Sequence, residues 1–500
     1  MSWLSRLPFF RRQTLNLLPK VPTDEVVPVH LFDGTSGLKG CILVWMFRFD
    51  EILDADKLHT SLSRVFQRDG WHKLGGRYRR REQDGKLEIH IPRPFTTERP
   101  PVHFTKETSN MRFDEHPLAS KLPRATGKVE TFLGPRAFNS LAMGPGSPSS
   151  FEDLIQDDRP QFSLHVNTFT DGTIVGLSHS HMTADLLGLT AVINAWCHEL
   201  AGRPDQVPPF GGVYEDGMKG LYDPPTEQKH AFAGKELTGW RVMYWLAWAF
   251  YESKRNTIES RILCIPKDKM DKLTAKARNC MTASSDAGSS FISQGDVLAA
   301  LACRLNAQGQ PPGSTRNIMT TMALDPRSRA PSAFKDGIAY AGNSPTVIFF
   351  ECPADKAMEM SLGDLALLSR KSISEQTTEE QIKAYSVLSA EAVRKTGMQT
   401  MFGDKDMSFQ HMSNWLKASL FDKIDFSPAI LKEATTEVGS GRKRGHPTYY
   451  HSADPGNVDG PYIMHLLVVM GADRDGNVCM SCVLPQKTWS NFVEYLNALE

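Results

Sequence analysis

The sequence predicts an α/β protein built of two related halves, on three observations. The chain has 500 residues, more than one hydrophobic core usually organises, so two domains are expected. A unit of strand, Asp-Gly turn, strand, loop and helix is legible around 162–200 and again around 462–496. Between the units, GRPDQVPPFGGVYEDGMKGLYDPPTEQ (202–228) is rich in proline and glycine and carries no usable period, as a connection between domains would. The expected division is a first domain over 1–205, a crossover over 206–258 and a second domain over 259–500.

The elements follow in order. Asp54 is placed to cap a helix over 54–70, with Leu58, Leu62, Val65 and Phe66 on one face. KLEIHIP (86–92) follows an Asp84-Gly85 turn and reads as a strand, whereas RYRRRE (77–82) reads as a solvated strand edge. Residues 125–150 carry so much Gly, Pro and Ser that a loop, not a core element, is expected. FSLHVNTF alternates, Asp171-Gly172 turns the chain, and TIVGLSHS returns. From Leu186 the period becomes helical, with Leu189, Val192, Ile193, Trp196 and Leu200 in register. VMYWLAWAF (242–250) is the most apolar run; it falls short of the ~20 residues a membrane span needs and reads as a buried or interface helix. In the second half SRILCIP (260–266) is a strand, GDVLAALACRL (295–305) a helix, and NIMTTMALDPRSR (317–329) a strand ending in a polar turn. YIMHLLVVM, the turn ADRDGN and VCMSCVL repeat the hairpin, and Trp489, Phe492, Val493 and Leu496 mark a closing helix. The DRDGN stretch (473–477) is a hairpin turn, since its glycine falls too early for a calcium loop.

Composition narrows the function. Lys plus Arg and Asp plus Glu both number 57, which gives no reason to expect nucleic acid or an anionic membrane as partner. Hydrophobic residues at 40% and charged residues at 23% exclude wholesale disorder. Eight scattered cysteines are too few for a disulfide scaffold and suit a reducing compartment. Cys479-x-x-Cys482 has no second pair with which to complete a zinc site. The N-terminus, MSWLSRLPFFRRQTLNLLPK, is basic and acid-free but lacks the cleavage pattern of a targeting peptide. A soluble, cytoplasmic monomer without a membrane span is expected.

The chemistry concentrates in GLSHSHMTADLLGL (176–189). His181 falls where the strand has stopped and the helix has not begun, so its side chain can point into a cleft. It is the one group there that titrates near neutrality, and hence the candidate general base. Asp185 lies at the helix start, where a carboxylate caps the backbone. Other readings fit the same spacing. His181 could be a buried, hydrogen-bonded histidine and Asp185 only a cap. His179 and His181 share a strand face and could bind metal with Asp185 or His165, although the geometry has no further support. GLSHS nearly matches a serine-hydrolase elbow but lacks its last glycine.

Together with other stretches in chain order, these residues resemble the BAHD family of acyl-CoA-dependent acyltransferases, in the form found in fungal secondary metabolism. His181-x-x-x-Asp185 is similar to the family's first signature, with Leu186 in place of its glycine. DFSPA (425–429) keeps only Asp425 and Phe426 of the second, Asp-Phe-Gly-Trp-Gly. Ser413-x-Trp415 stands about ten residues before that aspartate, and LDPRSR with YAGNS (324–329, 340–344) resembles the family's Asp-x-Arg-x-Arg and Gly-Asn pair. WHKLGGRYRRREQDGKLEIHIP (71–92) resembles its early Leu-x-Gly-Arg stretch. The resemblance implies two chloramphenicol-acetyltransferase-like α/β domains joined by a crossover, with the active site in a tunnel at their interface.

It also implies roles. His181 would deprotonate an alcohol acceptor, and Ser413 and Trp415 would stabilise the tetrahedral oxyanion. Asp185 would be structural, paired with Arg327, and Asp425 would hold a loop on the donor side. Arg442, Lys443 and Arg444 would meet the phosphates of acyl-CoA, most simply acetyl-CoA, a co-substrate and not a permanently bound cofactor. No metal is called for. The expected reaction is O-acylation of a small-molecule secondary metabolite. The rivals are an N-acyl or condensation-type transferase on the same fold, or a catalytically silent binding homologue. Residues 125–150 and 205–260 are expected to shape the acceptor side.

Overall fold

The computed structural model describes residues 18–124, 126–255, 257–281, 291–344, 346–432, 443–456 and 464–499. Two sheets dominate, and their strands in chain order are β1 (Ile42–Phe49), β2 (His103–Thr108), β3 (Glu130–Leu133), β4 (Phe162–Phe169), β5 (Gly172–Ser180), β6 (Ile258–Ile265), β7 (Asn317–Ala323), β8 (Val347–Pro353), β9 (Ser408–Asn414), β10 (Tyr449–Ala453), β11 (His465–Ala472) and β12 (Val478–Pro485). The five-stranded sheet has the order β10-β1-β5-β4-β2 and the seven-stranded sheet β8-β7-β9-β11-β12-β6-β3. Both expected hairpins form. β4 and β5 pair antiparallel from Phe162↔His179 to Phe169↔Gly172, and β11 pairs with β12. The packing helices are α1 (Ala55–Val65), α2 (Leu186–Leu200), α3 (Trp240–Arg255), α4 (Lys267–Asn279), α5 (Gln294–Gln308), α6 (Leu362–Gln376) and α7 (Gln486–Asn497). Asp54 caps α1 by accepting the Lys57 N–H, and Trp196 of α2 donates its indole N–H back to the Leu58 carbonyl of α1.

Sheet membership cuts across the division at 205 and 259. β3 comes from the first half of the chain yet pairs with β6 at the edge of the seven-stranded sheet, and β10 comes from the second half yet pairs with β1. Residues 430–432 also pair with 52–53. Each half therefore completes the other's backbone hydrogen bonding, which ties the interface more firmly than side-chain packing alone could. One core spans the seam, holding Trp45, Leu177 and Trp196 beside Cys264, Trp415 and Met470, while α4–α7 cover a second core on the far face of the large sheet.

Two expectations fail here. The 125–150 stretch is not merely loop: it contributes β3, and Phe138, Leu141 and Ala142 are buried. Close approach explains glycine on both sides of the contact: a methyl on Gly144 would lie 2.1 Å from the Thr105 hydroxyl oxygen, and one on Gly176 of β5 1.9 Å from the Ala142 carbonyl oxygen. RYRRRE is not a solvated edge either. Arg77 is 1% exposed, donating to the Gly75 and Pro100 carbonyls at 2.7 Å.

Candidate active site

All nine residues of β5 are buried, and the strand ends where His181 donates its backbone N–H to the Cys41 carbonyl at 2.8 Å. Asp185 then takes extended backbone as N-cap of α2 and accepts the Gly188 N–H at 2.8 Å. Gly188 lets that first turn press on the loop before β8, because a methyl there would lie 2.0 Å from the Ala341 carbonyl oxygen. The close approach brings Asn343, which the connection between β7 and β8 supplies, onto His181.

Asn343 fixes the imidazole. Its amide nitrogen has three acceptors around it: Asp33 Oδ1 at 2.9 Å, the His181 carbonyl at 2.9 Å and the Met182 carbonyl at 3.3 Å. Only an N–H₂ fits among three oxygens, so the amide oxygen must face His181 Nδ1, 3.0 Å away. An oxygen acceptor there requires Nδ1 to carry the proton, which leaves the Nε2 lone pair to take one. Asp33 also accepts the Asn343 backbone N–H at 2.8 Å. Burial raises its carboxyl above the ordinary range, against the pull of Lys73 and Asn343.

Asp185 faces away from His181 chemically. Arg327 donates to both its oxygens at 3.1 Å, to Asp325 at 2.8 Å and to the Gly342 carbonyl at 2.6 Å, while Ser344 N–H meets Asp185 Oδ2. Burial opposes the guanidinium charge, but Asp185 and Asp325 outweigh it and raise its pKa. His179 points elsewhere: it is fully buried, bonds the Ser180 carbonyl through Nδ1, and is held down to about 4 by burial, with the His181 ring adding to the effect. Among the described residues no three His, Cys, Asp or Glu side chains gather as a metal set, and Cys479 instead meets Cys264 across β12 and β6 at 2.9 Å.

The opposing surface is β9. Its parallel register on β7 pairs Thr321 with His411, whose Nδ1 lies 2.9 Å from the Thr321 hydroxyl oxygen. Burial and then the proximity of His181 push the His411 ring down to about 4. Ser413, two residues on, shares that strand face. Trp415 donates its indole N–H to Ser413 Oγ at 2.7 Å and packs against Trp45 of β1 with ring centroids 4.9 Å apart. The indole donor is therefore engaged, which turns the Ser413 hydroxyl hydrogen toward other acceptors.

The DFSPA turn is a separate constellation. Asp425 accepts the Ser427 N–H at 3.0 Å; Phe426 is buried against Trp196 and Phe49, with centroids at 4.5 and 5.4 Å. The Phe426 N–H donates to the Gly445 carbonyl at 2.7 Å, and Gly445 (φ +74°) has room for no side chain, since a Cβ would sit 2.2 Å from the Ser427 nitrogen. Lys443 and Arg444 are consequently held exposed beside this turn, and Arg442 lies outside the described residues. A small cavity of about 30 Å³ opens against Met182, Thr183 and Asn343, walled by Phe32, Phe210 and Tyr340 with Asp33, Lys73 and His30; His181 is not among the residues that line it. Sequence reasoning missed the positions of Asp33 and His411 and gave Asn343 no role; the Gly-Asn of YAGNS was the available signal for the last.

The site is an imidazole of fixed tautomer held where two mutually completed sheets meet. Comparison with known proteins gives the class. Residues 149–430 match the model of the Transferase family, so the chain belongs to that family, of BAHD type, and is an acyltransferase. It is 32% identical over 494 residues to O-acetyltransferase PaAT-2 of Phomopsis amygdali, covering 96% of this chain and 99% of that one. Acetyltransferase adrJ of Penicillium rubens is 31% identical, covering 96% and 97%. The crystal structure of F. graminearum TRI101 complexed with coenzyme A and T-2 mycotoxin superposes with a TM-score of 0.63 at 13% identity, covering 93% and 96%, and shares the fold. Among the described residues no helix is long and apolar enough to cross a membrane.

Proposed function

We propose that the protein transfers an acyl group, most simply acetyl, from acyl-CoA to a hydroxyl of a small-molecule secondary metabolite, acting in the cytoplasm as a monomer. The observation that carries the reading is the His181–Asn343 bond, which leaves Nε2 as a lone pair beside the β9 surface. The acceptor hydroxyl gives its proton to Nε2 as its oxygen attacks the thioester carbonyl. The Ser413 hydroxyl, steadied by the Trp415 N–H, donates to the resulting oxyanion. The tetrahedral intermediate collapses with cleavage of the C–S bond, and the imidazolium protonates the departing thiolate. Both substrates are held at once, so no acyl-enzyme is needed. Asp185, Arg327 and Asp425 keep the loops in place, and Arg442, Lys443 and Arg444 serve the CoA phosphates.

The test is thiol release from acetyl-CoA by purified protein over a panel of hydroxylated small molecules, with acetylated product identified by mass. His181→Ala is expected to lose at least about a thousandfold in kcat while keeping its circular dichroism. A variant that turned over at the parent rate would remove His181 from the mechanism, and products formed only from amines would replace the alcohol with an amine.

A further inference from the structure

We propose that the outward face of α3 lays the protein against an anionic lipid surface. The helix is apolar on both of its sides. Viewed down its axis, Trp240, Met243, Tyr244, Leu246, Ala247, Phe250, Tyr251, Lys254 and Arg255 occupy one continuous half, and every one of them is exposed, Trp240 at 66% and Met243 at 67%. The half toward the protein sets Arg241 and Glu252 among Val242, Trp245, Trp248 and Ala249: Glu252 is paired with Arg316, and Arg241 donates to the Gly403 and Glu236 carbonyls. Only Trp245 is buried, edge-on to Phe409 of β9. A surface helix ordinarily turns a polar face to solvent, and a contiguous apolar face of this kind marks an interaction site.

Charge selects the occupant. The outward half holds two cations and no carboxylate, because the one acid of the helix faces inward. Lys254 sits over Phe250 at 5.4 Å, Arg255 over Tyr251 at 5.6 Å, and Lys405, from outside the helix, over Tyr244 at 5.3 Å. Aromatic rings each accompanied by a cation are the pattern of helices that lie in the headgroup region, rings at the acyl boundary and cationic groups on phosphates. A second copy seated on this face would bring four helix cations into one interface with no counter-charge from either helix. At about 24 Å the helix can lie on a bilayer but not span it. The zero net charge of the whole chain conceals this local asymmetry.

The full chain is to be sedimented with vesicles of phosphatidylcholine alone and of phosphatidylcholine with phosphatidylserine. Binding to the phosphatidylserine vesicles, weakening as salt rises, is expected. The double variant Met243→Glu, Phe250→Glu should abolish it, and Lys254→Glu, Arg255→Glu should weaken it at least about tenfold. All of these residues lie on the exposed face of α3, and the expectation that 205–260 shapes the acceptor side does not extend to that face, so folding and thiol release with a water-soluble acceptor should be unchanged. The proposal is overturned if the parent stays in the supernatant with both vesicles, if neither double variant alters binding, or if ultracentrifugation shows a dimer that Phe250→Glu dissolves.

Discussion

The His181 seam and the DFSPA turn each bring an aspartate from a recognisable motif, and the two aspartates live in different physical circumstances. Asp185 is locked by a half-buried guanidinium that also holds Asp325 and the Gly342 carbonyl, so its charge is balanced by a fixed partner. Asp425 accepts one backbone N–H at the surface of a turn, and the turn is held by Phe426 in the core and by the absence of a side chain at Gly445. A motif residue is held to its type where it balances a partly buried charge. Where packing does the holding, the motif can decay around one aromatic, as DFSPA has.

The comparison predicts stability losses with different origins. Phe426→Ala empties a core position and should cost about 3–5 kcal/mol. Arg327→Met leaves the half-buried Asp185 carboxylate without its cation and should cost about 2–3 kcal/mol. Urea denaturation measures both. Removing Asp185 together with Arg327 should cost less than the sum of the singles, whereas Phe426→Ala with Arg327→Met should be additive. If Arg327→Met were neutral, Asp185 would be no better tied than Asp425.

Acid should expose the seam next. His179 is fully buried and held at about 4, against 6.5 for an exposed ring. Below 6.5 the unfolded chain binds a proton that the folded chain refuses, so this contribution is intact above 6.5 and is lost as pH falls toward 4. The loss is roughly 3 kcal/mol at most for this one ring. His451, buried and pushed down to about 3, acts in the same direction. Denaturation midpoints between pH 7 and 4 should fall steeply, and His179→Gln should flatten the slope; an unchanged slope would mean that the ring is not sealed.

How much of this was legible follows from the same physics. His181 and Asp185 could be read because a strand-to-helix seam carrying an imidazole and a capping carboxylate stands out in the sequence, and Arg327 could be read through the family resemblance. The hairpins and α2 could be read because burial imposes a period. The exchange of β3 and β10 could not, since pairing across halves leaves no periodic trace, and the glycines of 125–150 look like loop until Ala142 is seen against Gly176. His411 was invisible for a related reason: its neighbour Thr321 is ninety positions away, joined only by parallel register. The outward apolar face of α3 was hidden too, because an apolar run does not say which way it faces.

Asn343 is where position alone should show in kinetics. Asn343→Ala removes the acceptor that fixes Nδ1–H and should lower kcat by about a hundredfold, with KM for both substrates nearly constant. The lost tautomer control should also change the pH–rate profile, an effect that a merely weakened fold would not produce. Asp33→Asn should give a smaller loss of the same kind, because the amide of Asn343 would still find the His181 carbonyl.

The smallest effects belong to the turn proposed to meet the donor. Asp425→Ala forfeits one turn hydrogen bond and should cost about 1 kcal/mol or less. Lys443→Ala with Arg444→Ala removes two exposed cations, each worth at most about 1 kcal/mol to a phosphate in water. KM for acetyl-CoA should then rise several-fold while kcat and the acceptor KM stay fixed, and the rise should shrink as salt increases. If Asp425→Ala raised the donor KM more than the loss of both cations did, the turn would be positioning something other than charge. The carboxylate would then be nearer to the work of Asp185 than its single hydrogen bond suggests.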